Sequence, residues 1–320
     1  MLGGMVAAGS PGGPASAQDK MRVAAIFSTP IEEPWVNQIH VALQKAEQEL
    51  GIEYKWAEHV ASADYQRVLR EFARDGYPLI MGDAFAAEDV ARRVAKEFPD
   101  TAFVFGSGQG PAEPNFSVFD NWIHEPAYLS GLVAGKMTKS NTIGTVAAMD
   151  IPEVARLTNA FCAGAKEANA SAKCKVTFIG SFFDPPKAKE AALAQIAAGV
   201  DVIYAERFGV IEAATEKGVL AISNMSDQSA LAPDTVITGP VWDMWPTVEA
   251  AVKQVQADVY TATDFGSYSL MAAGGAKLAP FGAFEEKLPP DVMQLVKEKE
   301  EAILSGAFRV PVNESTPVSE

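Results

Sequence analysis

The sequence predicts an α/β protein built of two doubly wound lobes, on three observations. From Lys20 onward, short apolar runs alternate with amphipathic stretches of helical period, the pattern of a parallel sheet with crossover helices. The same order of elements begins again near His124. At 320 residues the chain is long enough for two domains, each with its own core.

The first series starts with a strand over 21–28 (MRVAAIFS) and a helix over 35–50 that Gly51 ends. A second strand lies within 52–60, with Ile52, Tyr54 and Trp56 on one face, and a helix follows over 63–75. Residues 78–83 (PLIMGD), a helix over 87–97 and a strand over 101–106 complete three βα units. Gly106-Ser107-Gly108-Gln109-Gly110 then invites comparison with a dinucleotide-binding loop. Pro111, Pro114 and the extended run FSVFD deny it the helix start that such a loop needs, so it reads as a glycine-rich surface loop.

The second series has helices over 124–137, 152–169 and 187–198, with Pro152 at a favoured first-turn position. Its strands lie at 142–149, 175–180, 200–205, 219–223 and 235–239, with a short helix ending at Lys217. Beyond Val241 come a helix over 245–257, an extended stretch, a glycine-rich stretch and a helix over 290–305, too little for a third domain. They are expected to return onto both lobes, which would then comprise 20–121 with about 242–277, and 122–241 with about 278–320.

Composition narrows the function. The net charge of −15, with no Lys/Arg cluster to offset it, argues against nucleic acid as a partner. No apolar run approaches the ~18 residues of a membrane span. The three histidines lack metal-ligand spacing, and two cysteines do not make a metal site, so no metal is expected. No P-loop, no G-x-S-x-G and no proper dinucleotide fingerprint occurs, so neither a cofactor nor an enzyme is expected. Residues 1–19 form a small, apolar leader in which Ala15-Ser16-Ala17 suits cleavage before Gln18 and export, although no Lys or Arg precedes Lys20. No cysteine near that point offers a lipid attachment. Cys162 and Cys174 either pair across a helix-to-strand connection or stay apart, with Cys162 a small buried helix residue.

Two α/β lobes place a cleft between them, and ligands of open sheets bind at strand exits. GSFFDPPKAKE at 180–190 is such an exit, with consecutive aromatics in place of ordinary turn residues. Other exits supply Trp35, Phe85, Trp122 and Trp242 as aromatics, and Glu32, Glu33, Asn37, Asn121, Glu206, Asn224, Asp227 and Asp243 as polar candidates.

The segments FPDTAFVF (98–105), AYLSGLVAGKM (127–137), GTVAAMDIPEV (144–154), GSFFDPPKAKEAA (180–192), GVDVIY (199–204) and GGAKLAPF (274–281) together resemble the basic-membrane-protein family. These are solute-binding proteins of bacterial ABC importers that take purine nucleosides or bases. The resemblance implies a type I periplasmic-binding-protein fold, with two doubly wound lobes joined by three crossover strands and closing by a hinge. It further implies a small-molecule ligand, an ABC permease and ATPase as partners, a monomeric receptor and a periplasmic location.

On the family's pattern Trp35 takes the place of a stacking aromatic before the first helix, with Glu32 or Glu33 as the acidic residue ahead of it. Phe85 follows the third strand, Asn121 and Trp122 stand at the first crossover, and Phe182 lines the cleft while Phe183 turns to the core. Asp227 matches a polar contact, and Glu206, Asn224, Trp242 and Asp243 complete the expected ligand-binding set. Each has a plainer reading: Trp35 as a hydrophobic staple, Trp242 as interdomain packing, Asp227 as a helix cap. Nucleoside-binding members carry a ribose-holding Lys where this sequence has Trp242. That departure implies a free purine base or similar flat heterocycle, held by stacking and in-plane hydrogen bonds, with a purine nucleoside or, on the fold alone, a sugar as the alternative ligand.

Overall fold

Val23, Ala24, Ala25 and Ile26 are all fully buried, as residues of a parallel strand covered by helices on both faces must be. They form β1 (Arg22–Ile26), which lies inside the first sheet of a computed structural model that describes residues 20–83, 85 and 87–320. The expected leader, 1–19, lies outside the described residues.

The first lobe continues with α1 (Pro34–Glu49), β2 (Glu53–Ala57), α2 (Ser62–Arg74), β3 (Leu79–Asp83), α3 (Glu88–Glu97), β4 (Ala102–Gly106) and β5 (Phe116–Phe119). Its five strands are all parallel, in the order β2-β1-β3-β4-β5. The period of two along β1 sorts its side chains: Val23 and Ala25 join the core under α1, while Ala24 and Ile26 join the core under α2 and α3.

The second lobe repeats the design with α4 (His124–Met137), β6 (Thr142–Ala147), α5 (Pro152–Ala168), β7 (Lys173–Phe178), α6 (Pro185–Ala197), β8 (Val202–Ala205), α7 (Val210–Lys217), β9 (Leu220–Ile222) and β10 (Val236–Thr238). Its parallel sheet has the order β10-β9-β8-β6-β7. Cys162 on α5 and Cys174 on β7 are joined in a disulfide, which resolves the alternative the sequence left open.

The chain passes between the lobes after β5, at β11 (Pro240–Trp242), and on the return to β12 (Ala276–Leu278), which pairs antiparallel with β11. A backbone bond from Phe265 N to Val118 O ties that return path to β5. Between the last two crossings α8 (Trp245–Gln256) packs on α1, and beyond them α9 (Pro290–Leu304) packs on α4. The stretch before β12, expected to be extended, contains a 3-10 turn at Gly266–Ser269. Among the described residues no helix is long and apolar enough to cross a membrane.

Candidate functional site: the cleft between the lobes

The carboxyl ends of strands from both sheets face one another across a cleft that holds a cavity of about 50 Å³. Ser28, Trp35, Asp83, Phe85, Gly106 and Ser107 reach it from the first lobe, and Glu153, Phe182 and Arg207 from the second.

Trp35 is placed by the start of α1. Pro34 occupies the first helical turn, and the Glu33 side chain caps the helix by accepting from Trp35 N and Val36 N, both at 3.0 Å. The indole stacks on Phe119 (5.6 Å between centroids, 16° between planes). Gly106 at the end of β4 makes room for it: a Cβ there would stand 2.1 Å from Trp35 Cη2. Phe85 and Phe182 meet edge to face from opposite lobes, so three aromatic rings border the cavity.

Two carboxylates reach into the same space. Asp83, at the end of β3, accepts from Ser28 N at 3.2 Å, from Ser28 Oγ, and from the Tyr65 hydroxyl. Burial pushes its pKa up, and the Ser28 hydrogen bonds pull against that. Glu153, at the start of α5, accepts from Ser107 Oγ across the cleft at 2.6 Å. Its carboxyl is pushed up to about 8, first by burial and then by the nearby charge of Asp120. Trp35 Nε1 and Thr29 Oγ1 belong to cavity-lining residues and are buried without a hydrogen-bond partner among the described residues.

Arg207, at the exit of β8, is almost fully buried. It grips Glu206 through Nε to Oε2 (2.8 Å) and Nη2 to Oε1 (2.6 Å). Its Nη1 donates to Phe182 O (2.7 Å) and, across the cleft, to Glu33 Oε1 (2.8 Å). Burial works against its positive charge, but Glu206 and Glu33 outweigh burial and its pKa is raised. Burial raises Glu206 in turn, against the pull of Arg207.

Of the residues expected at the site, Trp35, Phe85 and Phe182 line the cavity, and so does Glu33. Glu206 and Asn224 lie behind it: Glu206 accepts from Ala148 N (2.9 Å), and Asn224 accepts from the Tyr204 hydroxyl (2.6 Å). Asn121 is fully buried in the crossover, with Nδ2 3.7 Å from Met225 Sδ. Trp122 lies under the Arg156 guanidinium, 3.8 Å from its ring centroid, and Arg156 pairs with Asp120. Asp227 is exposed and accepts from Ser229 N, and Asp243 accepts from Trp245 N, so both are held in local Asx turns.

Asn121, Trp122, Glu206, Asn224, Asp227 and Asp243, all expected at the site, do not line the cavity, and two further expectations need correction. Trp242 does not line the cavity; it is fully buried behind Trp35, 5.3 Å between centroids, with Nε1 bonded to Ser269 Oγ at 3.0 Å. The register of β11 against β12, which sets Trp242 opposite Ala276, turns the indole inward. Phe183 is not a core residue: it is exposed and meets Phe208 edge-on at 6.5 Å, because the turn after β7 does not keep strand alternation. Asp83, Ser107, Glu153 and Arg207 were missed. Their only sequence signal was a polar residue at a strand exit or helix start, which many surface residues share.

Residues 20–262 match the family described as ABC transporter substrate-binding protein, PnrA-like. The chain belongs to that family. It is accordingly a solute-binding component of an ABC transporter and not an enzyme. It is 33% identical to a purine-binding protein of Brucella abortus (strain 2308), over 92% of this chain and 84% of that one. It is 31% identical to a Haloferax volcanii protein provisionally named an ABC transporter glucose-binding protein, over 93% of this chain and 76% of that one. Among solved structures, a solute-binding protein from Conexibacter woesei superposes with a TM-score of 0.73 at 25% identity, covering 91% of this chain and 99% of that one. The architecture is thus the expected periplasmic-binding-protein fold.

Proposed function

We propose that this chain is the extracytoplasmic receptor of an ABC importer and captures a purine base in the interlobe cleft for delivery to the permease and its ATPase. The observation that carries this reading is that three aromatic rings, Trp35, Phe85 and Phe182, and the carboxyl groups of Asp83 and Glu153 line one cavity. A purine offers two π-faces for the rings, in-plane N–H groups for carboxyl oxygens to accept from, and ring nitrogens to which the Glu153 carboxyl, pushed up to about 8, can donate. The likeness to the Brucella purine-binding protein supports the same ligand class. The Cys162–Cys174 disulfide suits an oxidising compartment outside the cytoplasm.

A base is favoured over a nucleoside by the charges of the lining. The cavity of about 50 Å³ is smaller than a base or a nucleoside needs, so the lobes must part to admit either. Among the described residues that line it, the one cation is Arg207, already committed to Glu206 and Glu33.

Isothermal titration of the purified protein with adenine, hypoxanthine, guanine, their nucleosides, and glucose, galactose and ribose tests the proposal. A free base should bind most tightly. Tighter binding of adenosine or inosine would overturn the base assignment, and binding of a sugar with no purine bound would overturn the ligand class.

A further inference from the structure

We propose that Arg207 is a reversible interlobe latch, a positioning residue that sets how much of the protein is closed. The two ends of the latch are Arg207 on the second lobe and Glu33 on the first, joined at 2.8 Å, with side chains only 4% and 3% exposed.

Each partner holds a second tie within its own lobe, and this makes the pair reversible. Arg207 has a bidentate contact with Glu206 and a bond to Phe182 O, both within the second lobe and neither involving Glu33. Glu33 uses Oε1 for Arg207 and Oε2 for the amides of Trp35 and Val36 at the start of α1. Opening the cleft at this point therefore breaks the Arg207–Glu33 pair, returns both groups to water, and strands neither charge in a dry interior. A buried pair whose partners had no other ties would leave an uncompensated charge when broken, and would resist opening.

The latch also fixes the aromatic walls. Glu33 holds the helix start that carries Trp35, and Arg207 holds the backbone of Phe182. Closing the ion pair thus brings the Trp35 and Phe182 walls to a set separation, whichever flat ligand lies between them. The interlobe hydrogen bond from Ser107 Oγ to Glu153 pairs a neutral donor with its acceptor and adds less attraction between the lobes.

The inference rests on the cleft being the ligand site, and its first test needs no ligand. Small-angle scattering of the free protein should shift toward a more open profile in Arg207→Met and in Glu33→Gln, with Arg207→Lys in between. Glu33→Gln keeps a side-chain oxygen for the α1 cap and leaves the Arg207–Phe182 bond intact, so it isolates the interlobe tie. Adenine should then dissociate at least about tenfold faster from both variants in stopped-flow, as expected for loss of a close interfacial charge pair. The double variant should dissociate no faster than Arg207→Met alone. Unchanged scattering in a folded Glu33→Gln protein would overturn the latch, as would additive effects in the double variant. A scattering shift in a protein that binds no purine would leave the latch standing and refute the ligand assignment instead.

Discussion

The ring of Phe85 stands edge-on to that of Phe182 across the cleft, with centroids 4.8 Å apart and planes at 79°. One ring belongs to each lobe, so their contact exists only when the lobes are close together. A flat ligand entering the cleft has both rings within reach, and each is expected to contribute stacking energy. Phe182→Ala and Phe85→Ala should each weaken base binding by about 1–3 kcal/mol, or roughly five- to 150-fold in Kd by titration calorimetry. Phe85 is half exposed, so its truncation should leave the Tm of the free protein nearly unchanged.

Gly106 carries the Trp35 indole against its backbone. Gly106→Ala would set a methyl group 2.1 Å from Trp35 Cη2, and the ring must move. The expected outcome is a destabilisation of about 1–3 kcal/mol in chemical denaturation, together with a shift in tryptophan emission and a loss of ligand affinity. A variant that binds as tightly as the parent would show that the position of Trp35 does not matter to the site.

Glu153 makes stability fall as pH rises. Its carboxyl titrates near 8 in the folded protein and near the ordinary glutamate value when unfolded, so between the two the folded state binds the extra proton. The folded state is favoured below that window, loses the advantage progressively through it, and is at its disadvantage above the folded pKa. Glu153→Gln should flatten this decline in thermal melts from about pH 5 to about pH 9. An equally steep decline in the variant would assign it to another group.

The disulfide closes a short loop between residues twelve apart, linking α5 to β7. Replacing Cys162 and Cys174 together by Ala should cost about 2–3 kcal/mol in denaturant unfolding, by the loop-closure argument. Neither cysteine lines the cleft cavity, so ligand affinity should stay within about twofold of the parent.

Local pattern carried most of the fold. The doubly apolar runs that became β1 and β4, the Pro152 helix start and the repeat after His124 are signals of short range, and they depend on period and turn chemistry alone. Aromatics at strand exits are legible for the same reason, and Trp35, Phe85 and Phe182 do line the cavity. What the chain order could not specify was which side of an irregular segment faces the cleft. Trp242 and Phe183 show this, since pairing with β12 and the geometry of the turn after β7 set their directions.

The sequence by itself determined the two-lobed α/β architecture, the family and the aromatic character of the cleft. Only the tertiary structure decided its charges. Arg207 meets Glu33 across 174 positions and Ser107 meets Glu153 across 46, and such pairings leave no periodic trace. They arise because two separately folded sheets present their strand ends to one another, so the polar half of the site exists only once both lobes are in place.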